Sequence, residues 1–460
     1  MRLLIVGGSD AGISAALRAR EVAPDTEVTV VVADSFPNYS ICGLPFYLSG
    51  EVLDWRNLAH RTVEEIERKG IKLLLDHTAH AIDPAHKFVT VTNRAGHNRI
   101  LAYDGLVLAT GAMPSKPPFE GNNLPGVHLL HSMADAFRMQ QHLTHKPPHS
   151  AVIVGAGYIG LEIADALVQR GVQHVTLVVR SESVLRTTLS PSMAQVVEDE
   201  LRRHGVIVAK GIAVESVRAR DSRLAISGTQ GYEAATDLVL LAVGIRPSTE
   251  LAQTARVTIG TQGAICVNHE MATNVPDIYA AGDCTETWHR LLNKYTYLPL
   301  GTTAHKQGRI AGENAVGGRR QFAGSLGTQV VKVFDLAVAR TGLREEDARG
   351  AGFDPLSHEL RVWDHKAYYP GARELWVRVT GDRNTGRLLG AQIIGHWRSE
   401  VAKRIDSFAT ALFHDVHVEE MNDIDLSYAP PFSSPWDPVQ MSAQAWVIAD
   451  QNSSKIEKTL

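Results

Sequence analysis

Residues 1–20 read Met1-Arg-Leu-Leu-Ile-Val-Gly7-Gly8-Ser-Asp10-Ala-Gly12-Ile-Ser-Ala-Ala-Leu-Arg-Ala-Arg20, and residues 151–170 read Ala151-Val-Ile-Val-Gly155-Ala-Gly157-Tyr-Ile-Gly160-Leu-Glu-Ile-Ala-Asp-Ala-Leu-Val-Gln-Arg170. Each stretch is a short apolar run of the kind that forms a buried strand, then glycines at a tight turn, then a helix. The helices are expected over Ile13 to Arg20 and Leu161 to Arg170. Helix amides and the helix dipole at such a turn hold a pyrophosphate. Gly155, Gly157 and Gly160 complete the G-x-G-x-x-G spacing, whereas Ser9 takes the middle glycine position in the first copy and leaves Gly7, Gly8 and Gly12. A lone glycine turn is common at strand–helix joins. Two copies predict two dinucleotide folds and two dinucleotides.

Three further runs follow in order. Tyr103-Asp-Gly-Leu-Val-Leu-Ala-Thr110-Gly111-Ala-Met-Pro114 and Asp237-Leu-Val-Leu-Leu-Ala-Val-Gly244-Ile-Arg-Pro247 each read as a strand returning to the edge of its own sheet. Thr273-Asn-Val-Pro-Asp-Ile-Tyr-Ala-Ala-Gly282-Asp283 brings a glycine and a carboxylate together after a buried strand. The glycine permits close approach, and the carboxylate accepts hydrogen bonds from a polyol.

This ordered set resembles the two-dinucleotide flavoprotein disulfide reductases over essentially the whole chain. The resemblance implies an α/β fold of two Rossmann-like dinucleotide-binding domains, for FAD and NAD(P), with a C-terminal α+β dimerisation domain. Boundaries are expected at 1–112 and 244–325 for the FAD domain, 113–243 for the NAD(P) domain and 326–460 for the dimerisation domain. It implies FAD on Gly7, Gly8, Gly12, Thr110, Gly111 and Asp283, and the nicotinamide dinucleotide on Gly155, Gly157 and Gly160. The acidic residue that binds the FAD ribose falls on Val32 without a gap, so Asp34 takes that role if the strand end is shifted. In the second domain, the position that accepts from the adenosine ribose 2′-OH is Val179, followed by Arg180, with Arg186 six positions further. Losing a carboxylate and gaining guanidinium groups favours a 2′-phosphate, which predicts NADPH over NADH.

Asn38-Tyr-Ser-Ile-Cys42-Gly-Leu-Pro-Phe-Tyr47 places a cysteine before an expected helix, whose N-terminus would lower its pKa and make it a nucleophilic thiolate. The dithiol enzymes carry a second cysteine five positions later, where this chain has Tyr47. Cys266, in an apparent strand, and Cys284 read as packing thiols. The run resembles the single-cysteine branch of coenzyme A-disulfide, persulfide and polysulfide reductases and NADH oxidases and peroxidases. In coenzyme A-disulfide reductases two tyrosine segments of the partner subunit face the cysteine. The segments His365-Lys-Ala-Tyr368-Tyr369-Pro-Gly-Ala372 and Leu426-Ser-Tyr428-Ala-Pro-Pro-Phe432 match them, which implies catalytic roles for Tyr369 and Tyr428 and a homodimer. Asp10 stands where peroxide-reducing members carry histidine. Asn38 and Ile41 depart from the coenzyme A pattern.

Composition narrows the partners. The net charge of −4 offers no basic face for nucleic acid, no apolar run approaches a membrane span, and the start shows no signal peptide, so a cytoplasmic protein is expected. Three scattered cysteines suit neither a disulfide framework nor a zinc site, and His414, His417 and Glu419 read as a solvated helix end. The tail from Ala449 to Leu460 is expected to fray. The expected reaction passes electrons from NADPH or NADH through FAD and Cys42 to a small disulfide, persulfide or polysulfide. The alternatives are reduction of oxygen or peroxide, or of a small electron-carrier protein.

Overall fold

The computed structural model describes residues 1–457. Its first sheet runs, in spatial order, Ile278–Ala280, Gly105–Leu108, Arg2–Val6, Glu27–Val31 and Ile71–Leu74, with all neighbours parallel. Its second runs Ile207–Lys210, His174–Val179, Ser150–Val154, Leu238–Leu241 and Val127–His128, again all parallel. In both, the glycine turn leaves the central strand and opens a helix: α1, Asp10–Val22, in the first and, beyond the short α2, Leu44–Ser49, helix α3, Tyr158–Gln169, in the second. Helix α4, Pro191–Arg203, completes the second unit. Each unit also carries a three-stranded antiparallel sheet.

The return strands are not at the edges. Gly105–Leu108 and Leu238–Leu241 both pair directly with the central strand and carry a further strand on the far side. All four residues of each are buried, and a strand apolar on both faces is stable only inside a covered parallel sheet. The chain leaves and re-enters the first unit through Ala112–Pro114 and Ile245–Pro247, which pair antiparallel.

Helix α5, Gly301–Asn314, lies along α1 in the same sense. A Cβ on Gly308 would stand 2.2 Å from the Ala11 carbonyl oxygen, and one on Gly312 2.1 Å from that of Ala15. Glycine is therefore the residue that lets these two backbones touch. At the near end Ser14 Oγ and His305 Nδ1 are 2.7 Å apart; at the far end Arg18 bonds Glu313 at 2.7 Å and Arg309 bonds Glu21 at 3.3 Å.

The C-terminal unit is an antiparallel sheet in the order Gln329–Val333, Leu336–Gly342, Leu388–His396, Glu374–Asp382, Pro355–Trp363. Helices α6, Val401–Phe413, and α7, Pro438–Glu457, cover it. The tail does not fray at Ala449, because α7 continues to Glu457, anchored by buried Trp446, whose Nε1 donates to the Leu356 carbonyl at 2.7 Å. The last three residues of the predicted tail lie outside the described residues.

Gly308→Ala is expected to destabilise the protein by about 1–3 kcal/mol through forced separation of α1 and α5. Thermal denaturation checks this against Gly350→Ala, whose Cβ meets nothing within 4 Å and whose midpoint should not fall.

Candidate active site

The two glycine turns share one geometry. Gly7 has φ +118° and Gly155 has φ +110°, and a Cβ would sit 2.0 Å from the Ala109 oxygen or 2.2 Å from the Ala242 oxygen of the neighbouring strand. Gly12 and Gly160 each press on the carbonyl of the turn's first glycine, at 1.8 and 2.1 Å for an added Cβ. Neither α1 nor α3 receives a side-chain cap at its N-terminus, so first-turn amides are left for a ligand. At Gly111 and Gly157 an added Cβ meets nothing within 4 Å. Uncapped amides beside open backbone fit a pyrophosphate at each turn.

Around the first turn the structure places the other expected residues unevenly. Thr110 Oγ1 donates to the Ser248 carbonyl at 2.6 Å, which ties the two crossings together. The half-buried Asp283 carboxyl has no hydrogen-bond partner among the described residues, and burial, then Asp10, pushes its pKa up to about 6. A partnerless carboxyl suits a ligand's hydroxyls. Backbone pairing runs on past the strand end to Asp34: the Val32 N–H donates to Leu74 O, Val32 O accepts from the His77 N–H and Asp34 O accepts from the Asp76 N–H, while an added Cβ on Gly8 would meet the Val32 side chain. Asp34 lies two residues further on, where its Oδ1 accepts from the Phe36 N–H at 2.8 Å.

At the second turn Val179 is buried at the strand end, and Arg180 and Arg186 are exposed. The Leu185 N–H donates to Ala156 O at 3.0 Å, holding the Arg186 loop against the glycine turn. Arg180 at the strand end and Arg186 in this loop therefore both stand close in the chain to segments that adjoin the second glycine turn.

Cys42 lies in a 3₁₀ turn, Ile41–Gly43, that leads into α2. The Asn38 N–H donates to Gly8 O at 2.7 Å, which fixes this loop to the first glycine turn. The expected low thiol pKa is overturned. Although one side of Cys42 is exposed, protein packed around its other sides pushes the pKa up, and the carboxylates of Glu162, Asp10 and Asp283 push it further. A turn and a six-residue helix supply too little dipole to offset burial and three like charges. Sequence reasoning passed over Glu162, which lies on α3 two residues after Gly160. Burial, then Asp165, raises it to about 7, and it has no hydrogen-bond partner among the described residues. Its signal was its place one turn into the second fingerprint helix, on the side that meets α2.

All three cysteines are free. Cys284 is buried against the Ala281 and Leu108 carbonyls, as a packing thiol would be. Cys266 follows an isolated bridge at Ile265 and is not within a strand. His414 ends α6, and His417 pairs with Glu420, 3.3 Å away, and not with Glu419. Glu200, His204 and Asp335 do group closely enough to hold an ion, but Arg203 already contacts the Glu200 carboxylate.

Within one chain Tyr369 and Tyr428 stand exposed on the C-terminal unit. Their loops adjoin, since Lys366 N–H donates to Pro430 O at 3.4 Å. Buried Arg404 anchors both: it donates to Asp364 O at 2.7 Å and Phe432 O at 3.2 Å while paired to buried Asp437 at 3.1 Å. Tyr368, Trp397, Phe432 and Trp436 are also exposed on this unit.

Residues 1–308 match the pyridine nucleotide-disulphide oxidoreductase family, and residues 328–438 match its dimerisation domain. The NAD(P)H sulfur oxidoreductase (CoA-dependent) of Pyrococcus furiosus is 36% identical over 452 residues, covering 96% of this chain and 98% of that protein. A NAD-dependent persulfide reductase from A. fulgidus superposes with a TM-score of 0.93 at 36% identity, over 98% of this chain and 84% of the other. An engineered water-forming NADPH oxidase bound to NADPH gives a TM-score of 0.94 at 28% identity, over 99% of this chain and 100% of the other. The chain belongs to the pyridine nucleotide-disulphide oxidoreductase family and is an oxidoreductase that uses FAD and NAD(P)H.

Proposed function

We propose that this enzyme reduces a small disulfide, persulfide or polysulfide with NADPH, through FAD and the single redox cysteine Cys42. The observation that carries the reading is Cys42 itself: it is held against the first glycine turn, it is exposed, and Tyr47 replaces the resolving cysteine. The sulfur acceptors named for the Pyrococcus furiosus and A. fulgidus relatives support the substrate class. The bound flavin supplies hydride and electron transfer. The chain's own residues supply the rest: uncapped amides bind the pyrophosphates, Asp283 receives hydroxyls, and the Cys42 sulfur forms the bond to substrate.

NADPH preference rests on the second turn. In the engineered NADPH oxidase an aspartate was replaced by alanine, the next residue by arginine, the next by serine, and a residue six positions after that arginine by arginine. This chain has Val179, Arg180, Ser181 and Arg186 at the same spacing. We place Tyr369 and Tyr428 at the partner's Cys42 in a homodimer, where a phenol donates to a departing thiolate; the exposed aromatic face and the dimerisation domain support this. Free thiols and NADPH suit a cytoplasmic enzyme, and among the described residues no helix is long and apolar enough to cross a membrane.

Cys42→Ser should bind FAD and be reduced by NADPH at the normal rate while sulfur-substrate turnover falls by orders of magnitude, as when a covalent nucleophile is removed. Anaerobic stopped-flow and steady-state assays separate the two. Retained turnover would favour an oxidase or carrier-protein reductase. Replacing both Arg180 and Arg186 with alanine should raise the KM for NADPH and leave that for NADH little changed. In a mixed dimer of Cys42→Ser and Tyr428→Phe subunits, one of the two sites should stay intact; two disabled sites would count against the partner assignment.

A further inference from the structure

A group of metal-ligand side chains lies where the second dinucleotide unit meets the C-terminal unit. Glu200 is in the last turn of α4, and His204, the residue just after the helix, follows it by four positions, so the two share a face. Asp335 sits at the tip of the hairpin that joins Gln329–Val333 to Leu336–Gly342. The tip is pinned at three points. Asp335 N–H donates to Glu200 Oε1 at 3.0 Å, Phe334 N–H donates to Asp165 Oδ2 at 2.9 Å, and the Phe334 and His204 rings stack with centroids 4.1 Å apart and planes at 3°. Phe334 takes φ +52° in this docking, a left-handed conformation that a bulky residue holds only where its surroundings enforce it.

The stacking fixes the plane of the His204 ring, and its Nε2 lies 3.2 Å from Glu200 Oε1 and 3.7 Å from Asp335 Oδ2. One ligand atom from each of the three residues falls within 4.8 Å of the others. His204 Nε2 is buried yet has no hydrogen-bond partner among the described residues, so a proton on it would satisfy neither oxygen. A cation among the three atoms would satisfy all of them. A tetrahedral ion with bonds of about 2.0–2.2 Å sets its ligand atoms about 3.3–3.6 Å apart, close to the two separations at Nε2. The Glu200 side chain is wholly buried, and Arg203 contacts its other oxygen, Oε2, which leaves Oε1 to the ion. A hydrogen bond such as the one Oε1 accepts from Asp335 N–H is the usual support of a ligating carboxylate. The Asp335 side chain is 56% exposed, which gives the ion an entry and room for water. We propose that Glu200, His204 and Asp335 bind a divalent first-row cation such as zinc, with water completing its coordination, and that the ion clamps the second dinucleotide unit to the C-terminal unit. One imidazole and two carboxylates are ligands such an ion accepts, and its two positive charges balance the two carboxylates.

The test uses the FAD-loaded full chain carrying Cys42→Ser, so that the exposed thiol takes no metal, stripped with a chelator and then held in zinc buffered at micromolar free concentration. Zinc should bind stoichiometrically, one ion per chain, and should raise the unfolding midpoint, as does any ligand that binds only the folded state. X-ray absorption at the zinc edge should show nitrogen and oxygen neighbours at about 2.0–2.2 Å and no sulfur. Adding His204→Gln or Asp335→Asn should weaken zinc binding by about 10²-fold or more and abolish the zinc-dependent rise in midpoint, since losing even a ligand's hydrogen-bond partner costs about 10–10²-fold. Asp335→Asn keeps the backbone bond to Glu200 and changes an exposed side chain, so it carries the test if His204→Gln fails to fold. Absence of stoichiometric zinc, equal zinc affinity in both variants, or a sulfur neighbour overturns the proposal and leaves the three side chains as an ordinary imidazole–carboxylate bridge.

Discussion

Backbone contact between α1 and α5 organises this protein. Residues some three hundred positions apart meet at Gly308 and Gly312, where no side chain would fit between the helices. That contact closes the first unit around the inserted second one. It also brings Asp10 and Gly301, the starts of both helices, to the same end of the molecule as the first glycine turn. The cysteine loop is bound to this turn through Asn38, so the geometry of the sulfur follows from a helix packing made far along the chain.

The chemistry at Cys42 is set by a conflict of charges. Burial and the carboxylates of Glu162, Asp10 and Asp283 favour the thiol, while the adjoining helix is too short to reverse them. Two of these carboxyls are themselves pushed up by burial, Asp283 to about 6 and Glu162 to about 7.

The C-terminal unit depends on another buried constraint. Arg404 spends its donors on Asp437, Ser399 O, Asp364 O and Phe432 O, which together fix the loops that carry Tyr369 and Tyr428. A buried guanidinium so fully paired is costly to break, because either partner left alone is an uncompensated charge. It holds the aromatic face in one shape before any partner arrives, which lowers the ordering cost of association.

Both dinucleotide folds were legible from residues 1–20 and 151–170, because a buried strand, a glycine turn and a helix are local structures written by neighbouring residues. The family and its C-terminal dimerisation domain likewise followed from motif order. What local pattern could not decide was anything that rests on distant neighbours. The return strands took interior places because burial on both faces, a property of the assembled sheet, outweighs chain order. Helix α7 persisted past Ala449 because Trp446 found Leu356 across the sheet. The Cys42 thiol rose when a falling pKa was expected, because burial by the assembled fold dominates it and the carboxylates of residues 162, 10 and 283 add to that. Sequence determines which side chains are available; the tertiary fold determines which charges face each other, because electrostatic energy depends on distance in space and not along the chain.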